Sequence, residues 1–370
     1  MRDLTLSDFP FVASLADSAN AKDRRIWLRV ACDYFVSAGA TQPDAIERFA
    51  DAVSARLDKA DPAAALEAAR KLAPCPYTPV RLLAKFQSVS PEACDIVLEH
   101  GAAYATADLV AAIESGRRQA AAVARRPDLD AKLVAALAAR DEADVLATLA
   151  RNPRARLDGA VFAELLQRAR KLAEDGGDRR LADALLQRRP LRPETAALFL
   201  LAGPLQRVEI LLAAQRSQLG RPPSPPAPVA SEIVSELELA AVARHPERFV
   251  AVLAKALDCD AALAEKIVED PSGEPLAVAL AALGAPNDVL VRVLIANDLQ
   301  AGDNYQRIRA LARLNSALNR NAAMIVMAAL RGEPLVRRRP AQSAEAPPSR
   351  DSGLRRAARS ASPPQRKAAG

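Results

Sequence analysis

Apolar positions recur along this chain in short clusters, and several clusters follow a short polar residue and a proline. Asp61-Pro62 precedes AAALEAARKL, Thr78-Pro79 precedes VRLLAKF, and Ser90-Pro91 precedes EACDIVL. A short polar side chain accepts hydrogen bonds from the free amides of a first helical turn, and proline is tolerated there because its missing N–H has no partner. Each pair therefore predicts a helix start, and their close spacing predicts helices of about two to three turns.

These helix starts belong to a longer pattern, in which apolar residues recur at helical spacing. Helices are predicted at residues 22–37, 43–57, 62–72, 79–87, 91–98, 107–114, 118–124, 131–139, 142–149, 159–173, 179–187, 193–201 and 205–215. Two more, at residues 305–318 and 322–330, are expected to cap the array. Helices this short are marginally stable alone, so each must bury its apolar stripe against a neighbour.

Short phrases also return along the chain. VARRP at 123–127 returns as LARNP at 149–153, 26 residues later, and AVARRP at 122–127 returns as AVARHP at 241–246. A repeated unit of two short helices cannot close its own core and stacks on the next unit. The sequence therefore predicts an all-α fold built as an α-solenoid.

These features divide the chain into five parts. We expect a lead segment at residues 1–20, a helical repeat array at 21–215, a proline-rich linker or loop at 216–230, a second helical segment with a cap at 231–332, and a basic tail at 333–370. The linker has five prolines between Pro222 and Pro228, which favour an extended chain. The tail has too few large apolar residues to fold, so we expect it to be disordered.

The composition agrees with a helical fold, and the distribution of charge shows where the excess positive charge lies. Half of the residues are hydrophobic but only 4% are aromatic, which is typical of helices rather than strands. The net charge is +6, yet residues 1–332 carry 42 basic and 42 acidic groups, so the excess lies in the tail. The tail is therefore a candidate for binding nucleic acid or another acidic surface. Its candidate binding residues are Arg337, Arg338, Arg339, Arg355, Arg356 and Arg359.

The sequence offers little material for catalysis or for a cofactor. His100 and His245 are the only histidines, and the glycine-rich motifs that bind nucleotides do not occur. Four cysteines lie far apart without a C-x-x-C pair, so we expect buried thiols rather than disulfides or a metal site. They are Cys32, Cys75, Cys94 and Cys259. We expect no catalytic, cofactor-binding or metal-binding residue, and a protein that is not an enzyme.

Targeting signals are likewise missing from the pattern. No window approaches the roughly 18 uncharged apolar residues of a membrane-spanning helix, and Asp3, Asp8, Asp17 and Asp23 interrupt the start of the chain. We therefore expect no membrane span and a cytoplasmic protein.

The turns of the repeats are rich in arginine, and two interpretations of this remain open. One is a basic edge that contacts phosphates, and the other is a mixed-charge rim, because aspartates such as Asp128, Asp130 and Asp141 lie among the arginines. The arginines are Arg125, Arg126, Arg151, Arg154, Arg156, Arg188 and Arg189. Asn152 is expected to satisfy backbone groups of its turn, and His245 stands in the repeat position of Arg126.

Residues 123–153 resemble the leucine-rich repeat variant, a HEAT-like helical unit with A-x-x-P and A-x-N-P turns. The matching positions are Ala124, Pro127, Leu133, Leu137, Val145, Ala150, Asn152 and Pro153. Residues 78–170 also resemble an alphaproteobacterial family catalogued as a domain of unknown function (number 2336), and this resemblance extends over residues 20–332. It implies a right-handed α-solenoid in the bacterial cytoplasm and carries no catalytic residue. Some leucine-rich repeat variant proteins hold an iron–sulfur cluster, but Cys32 stands alone near this N-terminus, so no cluster is carried over.

These observations favour a non-enzymatic scaffold that presents stacked helices to an unidentified protein partner. The alternative is a nucleic-acid-binding protein that uses the arginine-rich tail and the arginines of the repeat turns.

Overall fold

The computed structural model describes residues 14–16, 18–39, 42–219, 231–297 and 304–333. This part of the chain is helical and contains no strand, which confirms the all-α prediction. The first helices are α1 (Ala21–Ala38), α2 (Pro43–Leu57), α3 (Pro62–Leu72), α4 (Val80–Val89), α5 (Pro91–His100), α6 (Thr106–Ser115), α7 (Arg117–Ala124), α8 (Ala131–Ala138), α9 (Ala143–Arg151), α10 (Gly159–Gly176) and α11 (Arg180–Gln187).

A 3₁₀ helix at Pro193–Leu201 comes next, followed by α12 (Pro204–Arg216). The remaining helices are α13 (Ser231–Val242), α14 (Pro246–Leu257), α15 (Ala261–Glu269), α16 (Glu274–Leu283), α17 (Asn287–Asn297), α18 (Asn304–Ala317) and α19 (Arg320–Leu330). None of the helices among the described residues is long and apolar enough to cross a bilayer. The predicted tail at 333–370, apart from its first residue, lies outside the described residues, as do most of the lead segment and the linker.

Capping residues and prolines start these helices much as the sequence predicts. The Asp61 carboxylate accepts a hydrogen bond from the amide of Ala64 at 2.8 Å, and proline follows at the first position of α3. The Ser90 hydroxyl accepts one from the amide of Ala93 at 3.1 Å in front of α5. Each cap satisfies an amide that has no partner inside its helix.

Two local predictions differ from the structure. Thr78-Pro79 does not start α4 in the predicted way, because the buried Thr78 hydroxyl donates instead to the carbonyl oxygen of Leu72 at 2.8 Å, at the end of the preceding helix. Pro79 then stands just before the helix. The segment at 193–201 is helical as predicted but of the 3₁₀ type, and side chains of Arg179 and Arg207 bind carbonyl oxygens at its C-terminal end.

The helices stack in two rows along the first part of the chain. In one row α1 packs on α3, α3 on α5, and the contacts continue through α7, α9 and α11 to the 3₁₀ helix. In the other row α2 packs on α4, α6 on α8, and α8 on α10. Such stacking of successive helix pairs is consistent with the predicted α-solenoid. The right-handed sense and the HEAT-like classification stay predictions.

The helices after the linker do not extend these rows in chain order. The last helix, α19, packs against the 3₁₀ helix and α12, and α16 packs on α19. The buried residues of α19 include Ala323, Val326 and Met327. A single apolar core consequently runs from Cys94 in α5 to Leu330 in α19. The predicted capping helix at 322–330 thus packs against the last elements of the helical array expected at residues 21–215.

Candidate protein-binding surface

The turns of the first row are joined by side chains that cap the preceding helix. Arg126 is buried and donates to the carbonyl oxygens of Leu98 and Gly101, at 2.8 and 3.1 Å. Asn152, one repeat later, donates to the carbonyl oxygens of Ala124 and Arg126, at 2.9 and 2.7 Å. These carbonyls lack partners within their own helices, so each turn completes the hydrogen bonding of the turn before it.

Arg188 repeats this arrangement at the end of α11. Its guanidinium donates to the carbonyl oxygens of Ala150, Asn152 and Ala155, each at 2.8 Å. The structural interpretation of Asn152 is therefore confirmed, and Arg126 and Arg188 serve the same purpose. His245, in the sequence position that corresponds to Arg126, is exposed instead.

The other turn arginines fall into two groups. Arg125 bonds the carboxylate of Glu99 at 2.6 Å, and Arg189 lies 2.7 Å from the carboxylate of Glu209. Three more are exposed and have no ion-pair partner among the described residues: Arg151, Arg154 and Arg156. The turns therefore form a rim with charges of both signs, in which three arginines at one turn remain available.

The sequence-predicted binding residues of the tail are not placed by the structure. Arg337, Arg338, Arg339, Arg355, Arg356 and Arg359 all lie outside the described residues. The tail therefore stays a predicted site.

The cysteines do not come together, and no group of His, Cys, Asp and Glu suited to a metal ion occurs among the described residues. Cys32 and Cys94 are buried as expected, whereas Cys75 and Cys259 are only half-buried. Burial raises the pKa of the Cys32 thiol to about 12. Burial therefore disfavours the thiolate, which is the nucleophilic form of Cys32.

The two parts of the described chain on either side of the linker are joined by a partly buried ion cluster around the buried Arg207. Arg207 of α12 binds the carboxylates of Asp270 and Glu274, at 2.6 and 3.1 Å, and the hydroxyl of Ser272 at 2.6 Å. Burial disfavours the charge on both Arg207 and Asp270, but their mutual hydrogen bonds and opposite charges outweigh it. The pKa of Arg207 is consequently raised and that of Asp270 lowered. The cluster fixes the orientation of α12.

An open cleft lies beside this cluster, between α10, the 3₁₀ helix, α15 and α19. Its apolar wall includes Leu200 and Leu263, and Lys266 pairs with Glu174 at its edge, at 3.1 Å. The cleft thus carries charges of both signs.

The exposed face of α12 is the most distinctive surface of the described chain. Its inner face is in the core, with Ile210 and Ala214 fully buried. On the opposite face Leu205 is 82% exposed, Val208 50% and Leu212 49%, and Leu219 in the following turn is 77% exposed. We call these four residues the α12 stripe. Their spacing of three, seven and fourteen residues is the heptad spacing by which helices pair.

The stripe was missed in the sequence because α12 is apolar on two opposite faces. The helix itself was predicted at residues 205–215, but the sequence does not distinguish the core face from the exposed one. The heptad spacing of Leu205, Val208, Leu212 and Leu219 was the available signal. This spacing indicates an exposed apolar face only once the structure shows that Arg207 and Ile210 are buried on the opposite side of the helix.

One comparison with known proteins finds a family model that matches part of the chain. Residues 94–236, from α5 into α13, match the family described as an uncharacterised protein conserved in bacteria (DUF2336). This is the family expected from the sequence, although the matched segment is shorter than the expected resemblance over residues 20–332. No curated protein and no solved structure matches the chain. The α12 stripe lies entirely within the matched segment.

Proposed function

We propose that the protein, whose residues 94–236 match the model of this uncharacterised bacterial family, is a non-enzymatic interaction scaffold that binds a protein through the α12 stripe. The proposal includes the cytoplasmic setting that the resemblance implies. The observation that carries it is the exposed apolar stripe on a helix whose opposite face is buried. Contiguous exposed apolar surface is typical of protein-binding sites, and a row of residues at heptad spacing suits an amphipathic partner helix.

The rigidity of α12 supports this assignment. Arg207 is held by Asp270 and Glu274, and Gln215 donates to the carbonyl oxygen of Ala317 at 3.0 Å. A helix held by side-chain hydrogen bonds at Arg207 and Gln215 presents its outer face in one fixed geometry, which lowers the entropic cost of binding.

A matched pair of variants tests the proposal. Leu205→Glu/Leu212→Glu places two carboxylates on the stripe, and Ile26→Glu/Val30→Glu places two at half-exposed apolar positions of α1. We expect proteins cross-linked to the wild-type chain in a bacterial lysate to be retained by the α1 variant and lost by the α12 variant. Equal capture by both variants, or a catalytic turnover by the purified protein that one cleft substitution abolishes, contradicts the scaffold.

Nucleic-acid binding is the second candidate, and one observation favours it. Arg151, Arg154 and Arg156 are exposed at one turn without ion-pair partners among the described residues, so they are available for phosphates. We expect the triple variant with glutamine at these positions to bind double-stranded DNA more weakly than the wild type at low salt. If the affinities are equal, the turn is not a phosphate site and any binding belongs to the tail.

A further inference from the structure

The α12 stripe is complementary to itself in one orientation, and this identifies a partner. We infer that a second copy of this chain docks on the stripe, with the two α12 helices antiparallel and a two-fold axis passing at Leu212. This inference rests on the proposed function, since it names the protein that binds the stripe.

The three leucines of the stripe fit this symmetry. With Leu212 on the axis, a residue seven positions before it lies opposite a residue seven positions after it. Leu205 of one copy therefore faces Leu219 of the other, and Leu212 faces its own symmetry mate. Each contact joins two exposed leucines, as in the apolar seams of paired helices.

The charged residues beside the stripe select the antiparallel orientation. Glu209 and Arg216 lie on the same flank, because they are three residues before and four residues after Leu212 in a helix of about 3.6 residues per turn. The two-fold axis keeps that flank on one side of the dimer. Arg216 of one copy then lies within about 1.5 Å, along the helix axis, of the level of Glu209 in the other.

Two equivalent ion pairs therefore form per dimer. The Glu209 side chain is 41% accessible, which leaves it able to contact Arg216 of the other copy although its Oε2 already lies 2.7 Å from Arg189. In a parallel dimer Arg216 is opposite the uncharged Gln215, so the charge complementarity disappears. This difference favours the antiparallel dimer.

The dimer is expected to be weak. A helix of 13 residues offers less surface than the roughly 800 Å² per partner of a standard stable interface. We therefore expect a dissociation constant on the order of micromolar, and a monomer–dimer equilibrium that responds to small changes in charge.

Charge reversal gives the decisive experiment on the full-length purified chain. In Glu209→Arg two basic residues face each other across the axis, and in Arg216→Glu two acidic residues do so. Analytical ultracentrifugation should show about tenfold weaker dimers for each variant alone. An equimolar mixture of the two variants should regain near wild-type association as a heterodimer, because every cross-axis pair is then of opposite sign.

The controls separate this register from other causes of weakened association. Arg70→Glu reverses an exposed charge on α3 and should leave the dimer unchanged, while Leu212→Glu should weaken it by roughly a hundredfold or more. Circular dichroism checks that each variant is folded. Dimers that persist in Leu212→Glu, or a variant mixture that associates no better than its components, overturn the inference.

A wild-type chain that stays monomeric at several hundred micromolar also overturns it. In that case the cross-linking experiment in bacterial lysate decides whether the scaffold proposal also fails. If capture still depends on the stripe, the scaffold proposal stands and a different protein occupies the surface. If capture does not depend on the stripe, the proposed function fails as well.

Discussion

Asn152 donates from Nδ2 to the carbonyl oxygen of Arg126, 26 residues earlier in the chain, at 2.7 Å. The same amide nitrogen donates to the carbonyl oxygen of Ala124 at 2.9 Å, and its Oδ1 accepts from the amide of Arg154 at 3.0 Å. One side chain thereby closes the end of α7 and shapes the turn after α9. The two residues that this hydrogen bond joins are thus 26 residues apart, which is also the spacing of the repeated sequence.

Replacing Asn152 should consequently weaken the whole fold. We expect Asn152→Ala to lower the free energy of unfolding by about 1–3 kcal/mol, because two buried carbonyl groups lose their donor. Urea denaturation followed by circular dichroism measures the difference. The neighbouring Arg151→Ala removes an exposed side chain and should change stability by no more than about 0.5 kcal/mol. Equal effects of the two substitutions would show that the cap is not stabilising.

Gly101 permits the close packing of the turn after α5. A Cβ added there would lie 2.4 Å from the carbonyl oxygen of Val97 and 2.6 Å from the ring of Tyr104. We expect Gly101→Ala to destabilise the protein by about 1–3 kcal/mol, since either the backbone or the packed ring must move. Gly159→Ala, where nothing lies within 4 Å of the added atom, is the matched control and should be neutral or slightly stabilising.

The sequence predicts features that depend on a few neighbouring residues. Asp61-Pro62 and Ser90-Pro91 start helices as expected, because a cap and a first-turn proline act within one helical turn. Thr78-Pro79 has the same pattern of a short polar residue before proline, but the Thr78 hydroxyl donates to the carbonyl oxygen of Leu72 in the previous helix. That choice depends on how the helices are packed, which the local pattern does not contain.

Long-range relationships account for the other differences. The position of α19 against the 3₁₀ helix follows from a match between two apolar faces more than a hundred residues apart. The heptad spacing of the α12 stripe is visible in the sequence, but the sequence does not show whether the stripe faces the core or the solvent. The exposure of the stripe is decided by the inward position of Arg207, whose partly buried partners lie 63 and 67 residues later.

Arg207 should be the most sensitive charged position of the described chain. Its side chain is 8% accessible and pairs with Asp270 and Glu274, which are 11% and 25% accessible. Arg207→Met leaves two acidic groups partly buried without a counter-charge, so we expect a loss of about 3 kcal/mol or more. Arg154→Met is the exposed control. Unfolding midpoints in urea that agree for the two variants would exclude a stabilising role for the cluster.

The same cluster should make stability depend on pH in the acid range. The pKa of Asp270 is lowered, because hydrogen bonds from Arg207 and Ser272 outweigh the effect of burial. The charged carboxylate therefore stabilises the native state fully above its unfolded pKa, which is about 4. This contribution is lost as the pH falls below that value through the native pKa.

Asp270→Asn removes this titration while keeping the size of the side chain. We expect the variant to be less stable than the wild type at pH 7, and the difference in unfolding free energy to shrink steadily below about pH 4. Urea titrations at a series of pH values measure it. Curves that stay parallel down to the lowest accessible pH would mean that Asp270 titrates alike in the folded and unfolded chains. The attraction of Arg207 for Asp270 would then be too small to hold α12 in its place, and the exposed orientation of the stripe would need another cause.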